Sequence, residues 1–262
     1  MKNPWQRMTG SVAGLVSGQL SGQPRVWLTV ASLSLGSLGQ AAVAEAQPPA
    51  SPTAPSPAVA SLDRPIDTTA SRIYVLVGKS GLVGHVHAVE ARLVSGNLRL
   101  GATTQAGQWT FDMRSFVVDT PAARTMLGLP GEVDASTQEQ TQANMLGPEV
   151  LDVARHPIAT FRIDSALPST QVRPQAAAAY DLRGTFILKG VERPLAVTAT
   201  VEDRAGTLLL RGSFSLKQSA YGMKPYAKFG GMVGVADELK IWADIWLPAE
   251  PATLLQTPAQ IP

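Results

Sequence analysis

The chain has 262 residues, with 22 Lys and Arg against 20 Asp and Glu, three histidines and no cysteine. The missing cysteine excludes a disulfide framework and thiolate chemistry. The net charge of +2 belongs to the first 46 residues, which hold Lys2, Arg7, Arg25 and Glu45 and leave 19 basic and 19 acidic residues behind. This removes the basic balance as an argument for a nucleic-acid or acidic partner, and no basic stripe with interleaved aromatics replaces it.

At the N-terminus, Lys2, Arg7 and Arg25 precede an apolar run from Val26 to about Leu38, followed by the small residues Ala41 to Ala46. This is the charged, apolar, small-residue order of a secretory signal peptide, with cleavage expected after Ala44 or Ala46. Met8 is an alternative start. The competing reading, an uncleaved anchor, meets an apolar run short of the roughly 20 residues a span needs. Residues 47–62 are rich in Pro, Ala and Ser and read as a semi-extended linker. Residues 251–262 read as a loose tail, which leaves 63–250 as one folded domain with length for a substantial core.

Within that domain the predicted strands are Arg72–Val77, Val83–Leu100, Gln108–Val118, Ile158–Asp164, Tyr180–Lys189, Leu195–Glu202, Thr207–Lys217 and Glu238–Leu247, most of them separated by Gly or Pro turn signals. No strand–helix–strand alternation occurs, so antiparallel pairing with partial or full closure is expected. The fold class is all-β, an antiparallel barrel of about eight strands with a short helical insertion. That insertion has Thr120-Pro121 as an N-cap with proline at the first helical position, Ser136 and Glu139 at capping-box spacing, a stop at Gly147-Pro148, and a helical turn around Val150–Ala154. A turn at Gly190–Pro194 joins two alternating strands.

Alternation gives each strand a dry face, and closure turns these faces inward: Trp109, Phe111 and Met113; Phe161 and Ile163; Leu182, Phe186 and Leu188; Leu195, Val197 and Val201; Leu208, Leu210, Phe214 and Leu216; Leu239, Ile241 and Ile245. A barrel of this size is either filled by side chains or hollow enough for one ligand. Composition by itself favours the filled one.

Three stretches carry a resemblance. Arg155 to Ser165 is a turn meeting a proline and then a strand that ends in Ser; Gly184 to Pro194 is a hairpin; Gly212-Ser213-Phe214-Ser215-Leu216, Ala220-Tyr221-Gly222-Met223 and Ala236 to Ile241 form two strands and a loop. In order and spacing they resemble the YceI-like proteins over about Asp67 to Ala249. The resemblance implies an extended lipocalin-like barrel, a bacterial periplasmic or secreted location, and an apolar tunnel for a polyisoprenoid or another long-chain amphiphile. The strand-built chain without a convincing catalytic motif points to a container and not an enzyme, with no cofactor expected and any membrane contact transient. The tunnel wall would be Trp109, Phe111, Met113, Phe161, Ile163, Leu182, Phe186, Leu188, Leu210, Phe214 and Ile241. The sequence departs from the family pattern in the long segment Asp119–Gly147 and at Gly84-His85-Val86-His87.

His85 and His87 are two apart and fall on one strand face with Val89, Ala91 and Leu93, the inward one. They read as hydrogen-bonded histidines at a strand end, as a polar lining for a headgroup, or as two ligands of a metal that needs a third, for which His156 is the only other histidine. A metal-binding or enzymatic protein centred on the pair is the alternative function. Tyr221, Lys224, Tyr226 and Lys228 lie in a glycine-rich loop, read either as a plain connection or as a lid whose lysines meet an anionic headgroup. Gly78-Lys79-Ser80 lacks the earlier glycine of a phosphate loop, since residue 73 is Ile. No nucleophile elbow, no His-Glu-X-X-His and no carboxylate pair is present.

Overall fold

The computed structural model describes residues 63–170 and 178–248; the expected leader, linker and tail lie outside them. In chain order the elements are β1 (Arg64–Pro65), β2 (Arg72–Ser80), β3 (His87–Ala91), β4 (Leu93–Leu98), β5 (Gly107–Asp112), β6 (Val117–Val118), α1 (Pro121–Met126), α2 (Ala135–Leu146), β7 (Ile158–Pro168), β8 (Ala178–Leu188), β9 (Val191–Arg204), β10 (Thr207–Lys217), β11 (Ala227–Lys228) and β12 (Val233–Leu247).

All the strands belong to one antiparallel sheet with the order β1-β4-β5-β7-β8-β9-β10-β12-β2-β3-β6, and β11 pairs with β12. β3 and β4 are separated only by Arg92, yet β3 pairs with β2 and β4 with β5. The strands next to the two ends of the main path, β4 and β3, are therefore one bent strand, and the sheet curls round on itself. The expected strand Val83–Leu100 is this bent strand, starting later and kinked because each half has a different neighbour. The expected strand Gln108–Val118 is broken as well. The Asp112 carboxylate accepts the Arg114 N–H at 3.0 Å and the Met113 N–H donates to Pro157 O at 2.8 Å, turning the chain through a short 3-10 turn before β6.

The β8–β9 turn is tighter than expected. Leu188 faces Val191 directly, so the loop is only Lys189-Gly190, with φ of 51° and 75°. Positive φ at both positions is the type I′ geometry that matches strand twist. Lys189 is held in it by its ammonium, which donates to Pro148 O at 3.0 Å and Gly222 O at 3.2 Å. Val191 to Pro194 thus belong to β9, with Pro194 opposite Thr185.

Both helices lie in the insertion. α1 is capped by the Thr120 hydroxyl, which accepts the Ala123 N–H at 3.1 Å, and it packs outside the sheet where Tyr74, Ala88 and Ala123 form a small cluster. α2 is capped by Asp134 instead of the Ser136–Glu139 box. The Asp134 carboxylate accepts from the Thr137 N–H at 2.9 Å and from the Ser136 hydroxyl at 2.7 Å. These bonds lower its pKa to about 2, and a charge at the positive helix end makes it the stronger cap. Val150–Ala154 forms hydrogen-bonded turns, with the Asp152 N–H donating to Gly147 O at 2.8 Å.

The core is one cluster inside the sheet, and it is unevenly packed. Leu98, Ile163 and Leu247 are fully buried at one end. At mid-height, Ala199, Gly212 and Ala243 stand side by side on β9, β10 and β12. Three neighbouring strands thus present almost no side chain at the same level.

Candidate functional site

That gap opens into a cavity of about 320 Å³, which is within the range of about 300–1,000 Å³ typical of ligand pockets. The barrel is hollow, against the expectation from composition. Of the residues expected in the wall, Trp109, Phe111, Met113, Phe161, Leu182, Phe186, Leu188, Leu210, Phe214 and Ile241 line the cavity. Ile163 is buried but lies beyond its closed end, with Leu98 and Leu247. The aromatic residues form an edge-to-face chain: Trp109 to Phe161 at 5.8 Å, Phe161 to Phe186 at 6.5 Å and Phe111 to Phe186 at 6.2 Å between centroids. This arrangement favours rings at these separations and stiffens the wall.

The other end carries polar groups. β3, the start of β12, the loop before it and α2 meet there, and His85, His87, Tyr226, Thr137, Gln140, Thr141 and Asn144 line the cavity. α2 is held to the sheet edge by two glutamines that substitute for a neighbouring strand. Gln142 accepts the Val118 N–H at 2.9 Å and donates to Phe116 O at 2.7 Å, while Gln138 donates to Val118 O at 2.8 Å. Thr137, Gln140, Thr141 and Asn144 recur at helical spacing on the neighbouring face, and that face looks onto the cavity. The spacing is readable in the sequence, but a polar helix face is ordinarily a solvated one.

His87 is buried and His85 is exposed, with their rings 6.3 Å apart. His87 Nδ1 donates to Asp119 Oδ2 at 2.6 Å. The other carboxylate oxygen of Asp119 accepts the Ala88 N–H at 3.0 Å and Arg124 Nη1 at 2.9 Å. Burial by itself would raise the Asp119 pKa. The hydrogen bonds from His87, Ala88 and Arg124 outweigh it and hold the carboxyl below its ordinary value. Asp119 has a φ of 54°, a left-handed conformation that aspartate tolerates better than most residues. Neither Asp119 nor Arg124 is evident as a partner of His87 in the sequence, since Asp119 lies 32 residues away.

The remaining candidates are dispersed. Tyr221 is buried with its ring 5.9 Å from Phe186, outside the cavity lining, and burial raises its pKa. Lys224 also lies off the lining, its ammonium 3.3 Å from the Glu149 carboxylate. Lys228 sits over the Tyr226 ring at 5.5 Å. His156 packs against the Gly190 turn. Among the described residues no group of three or more His, Cys, Asp or Glu is placed to hold a metal.

A family model described as the YceI-like domain matches residues 65–247. Solved structures similar to this chain include Burkholderia cenocepacia BcnA, at 20% identity and TM-score 0.45, covering 69% of this chain and 98% of that one. A Saccharophagus degradans domain described as polyisoprenoid binding aligns at 13% identity and TM-score 0.48, over 71% of this chain and 97% of that one. A Campylobacter jejuni YCEI protein aligns at 9% identity and TM-score 0.37, over 60% and 79%. No curated protein sequence matches. The family model spans most of the chain and all but the first residue of the curled sheet, and the chain belongs to the YceI-like family.

Proposed function

We propose that this protein binds a long-chain amphiphile, with the hydrocarbon tail inside the barrel and the headgroup at the polar end, and that it carries or sequesters this lipid without chemical change. The observation that carries the reading is the cavity itself: an aromatic and aliphatic interior, closed at one end and collared by polar side chains at the other. Each methylene moved from water into such a space contributes about 0.8 kcal/mol. Ordering the chain and closing the site offset part of this. A polyisoprenoid tail suits the site because its rigid branched units lose less rotational freedom than a saturated chain. The leader-like order of residues 1–46 supports a periplasmic or secreted location. Membership in the YceI-like family supports a binding role over a catalytic one.

The test is organic extraction and mass spectrometry of the purified protein, with competition against an environment-sensitive fluorescent lipid. A stoichiometric prenyl or acyl lipid that the probe displaces supports the reading. Protein that neither retains lipid nor binds the probe contradicts it.

A further inference from the structure

We propose that the polar end of the cavity is a headgroup site for a hydroxyl, of an alcohol or a phenol, which donates its proton to His87 Nε2. This rests on the lipid-binding reading above and adds the headgroup's chemical class to it. An ionised carboxylate only accepts hydrogen bonds, so the short contact to Asp119 fixes the proton on His87 Nδ1. In the neutral ring the lone pair is then on Nε2. Among the described residues the side-chain hydrogen bond of His87 is made through Nδ1, and His87 lines the cavity, which leaves Nε2 available to a ligand there. A histidine held by a carboxylate on one nitrogen and left open on the other is oriented toward whatever enters.

The surroundings favour an uncharged group. The collar consists of hydroxyls, amides, a phenol and imidazoles, and among the described residues no Lys, Arg, Asp or Glu lines the cavity. Arg124, the cation behind His87, is fully engaged by Asp119, Pro130 O and Gly131 O. A phosphate or carboxylate drawn into this collar would lose hydration without gaining a counter-ion, which is costly. A hydroxyl loses little and gains a directed acceptor.

The test compares three ligands of equal chain length, a prenyl alcohol, its monophosphate and the parent hydrocarbon, by displacement of one fluorescent lipid probe. The alcohol is expected to bind about tenfold more tightly than the hydrocarbon and more tightly than the monophosphate. In His87→Leu this advantage over the hydrocarbon should vanish while hydrocarbon binding persists. If that variant does not fold, isotope-labelled histidine in the wild type gives the same answer: the His87 Nε2 resonance should move with the alcohol and stay with the hydrocarbon. Equal binding of alcohol and hydrocarbon, or a preference for the monophosphate, overturns the headgroup assignment alone. Failure of all three ligands to bind overturns the lipid reading with it.

A separate observation concerns the rim. Leu82, Val83, Phe229 and Met232 are 83%, 58%, 77% and 55% exposed, unusually bare for large apolar side chains. Two loops bring them together, since the Val83 N–H donates to Met232 O at 3.1 Å and Val83 bridges to Val233. The adjoining Gly84 and Val233 line the cavity, so the patch borders its polar end. Lys79 and Lys228 are exposed on the flanking strands, opposite Val235 and Val233. We infer that this rim docks on an anionic phospholipid surface, the apolar tips entering the interface and the lysines meeting headgroups. The full-length mature protein should co-sediment with phosphatidylglycerol-containing vesicles and less with phosphatidylcholine alone. Leu82→Ser with Phe229→Ser should reduce this about tenfold. Equal sedimentation with both vesicle types, no effect of the double variant, or a dimer that the double variant dissociates would overturn the inference.

Discussion

Gly212 on β10 stands directly across the ladder from Ala243 on β12, with Ala199 on its other side. These small residues fall level with one another and hold the middle of the barrel open. Ala243→Phe should fill that space. Folding stability is expected within about 1.5 kcal/mol of the wild type, because the ring enters a void instead of a packed core. Fluorescent-lipid binding should be lost. Retained binding at wild-type affinity would show that the ligand lies elsewhere.

The closed end responds in the opposite way. A methyl group added at Gly96 would stand 2.6 Å from Ile66 Cδ1, 3.1 Å from Gln108 O and 3.2 Å from Trp109 Cδ1. Gly96→Ala should therefore destabilise by about 1–3 kcal/mol through overpacking, seen as a lower urea midpoint with an unchanged slope. Binding per folded molecule should change little.

Asp119 ties His87 and Arg124 to the sheet edge. Asp119→Asn preserves the shape and the left-handed backbone but leaves Arg124 without its counter-charge. Breaking such a buried pair costs about 3–5 kcal/mol. The folded-state pKa of Asp119 lies below its unfolded value, so its ionisation stabilises the fold above the unfolded value. That contribution declines as pH falls through the folded value. Chemical denaturation near neutrality should show the full deficit of Asp119→Asn, and the deficit should shrink in acid, below the ordinary carboxylate range. A pH-independent deficit would mean that the charge is not what stabilises this corner.

Among the described residues, Gln142 makes two of the three side-chain bonds that hold α2 against β6 and the adjoining Phe116. Gln142→Ala should cost about 1 kcal/mol. Its larger effect should be local: faster hydrogen exchange in α2 and faster release of bound lipid, both from loosening one side of the polar end. Unchanged exchange in α2 would show that other contacts hold the helix.

Much of the scaffold was legible in the residues. Period-two alternation identified β7 to β10, and ten of the eleven residues expected in the interior wall line the cavity, because an apolar side chain on a half-wet strand has only one favourable side; the β2 contribution of Ile73, Val75 and Val77 was not among them. Ile163 shows the limit of that signal: alternation assigns it to the interior but cannot tell which end of the barrel it reaches. Other misreadings came from competition between local signals. Asp134 displaced Ser136 as a helix cap because a carboxylate accepts more strongly at a helix N-terminus, and Lys189-Gly190 formed the tighter turn because twist favours positive φ.

The sequence by itself determined the class of fold and most of the inward faces; of the two histidines expected to share one of them, His87 opens β3 and is buried, while His85 lies ahead of the strand and is exposed. Only the tertiary structure decided that the barrel is hollow, since that depends on the register that sets Ala199, Gly212 and Ala243 side by side. It also decided what His87 can do, by bringing Asp119 and Arg124 to it across the β3–β6 edge. The physical reason is the same in both cases. Alternation is a local property that each strand carries alone, whereas a void and a hydrogen-bonded relay are made by residues from different elements, three strands for the void and β3, the turn after β6 and α1 for the relay, brought together only when the chain folds.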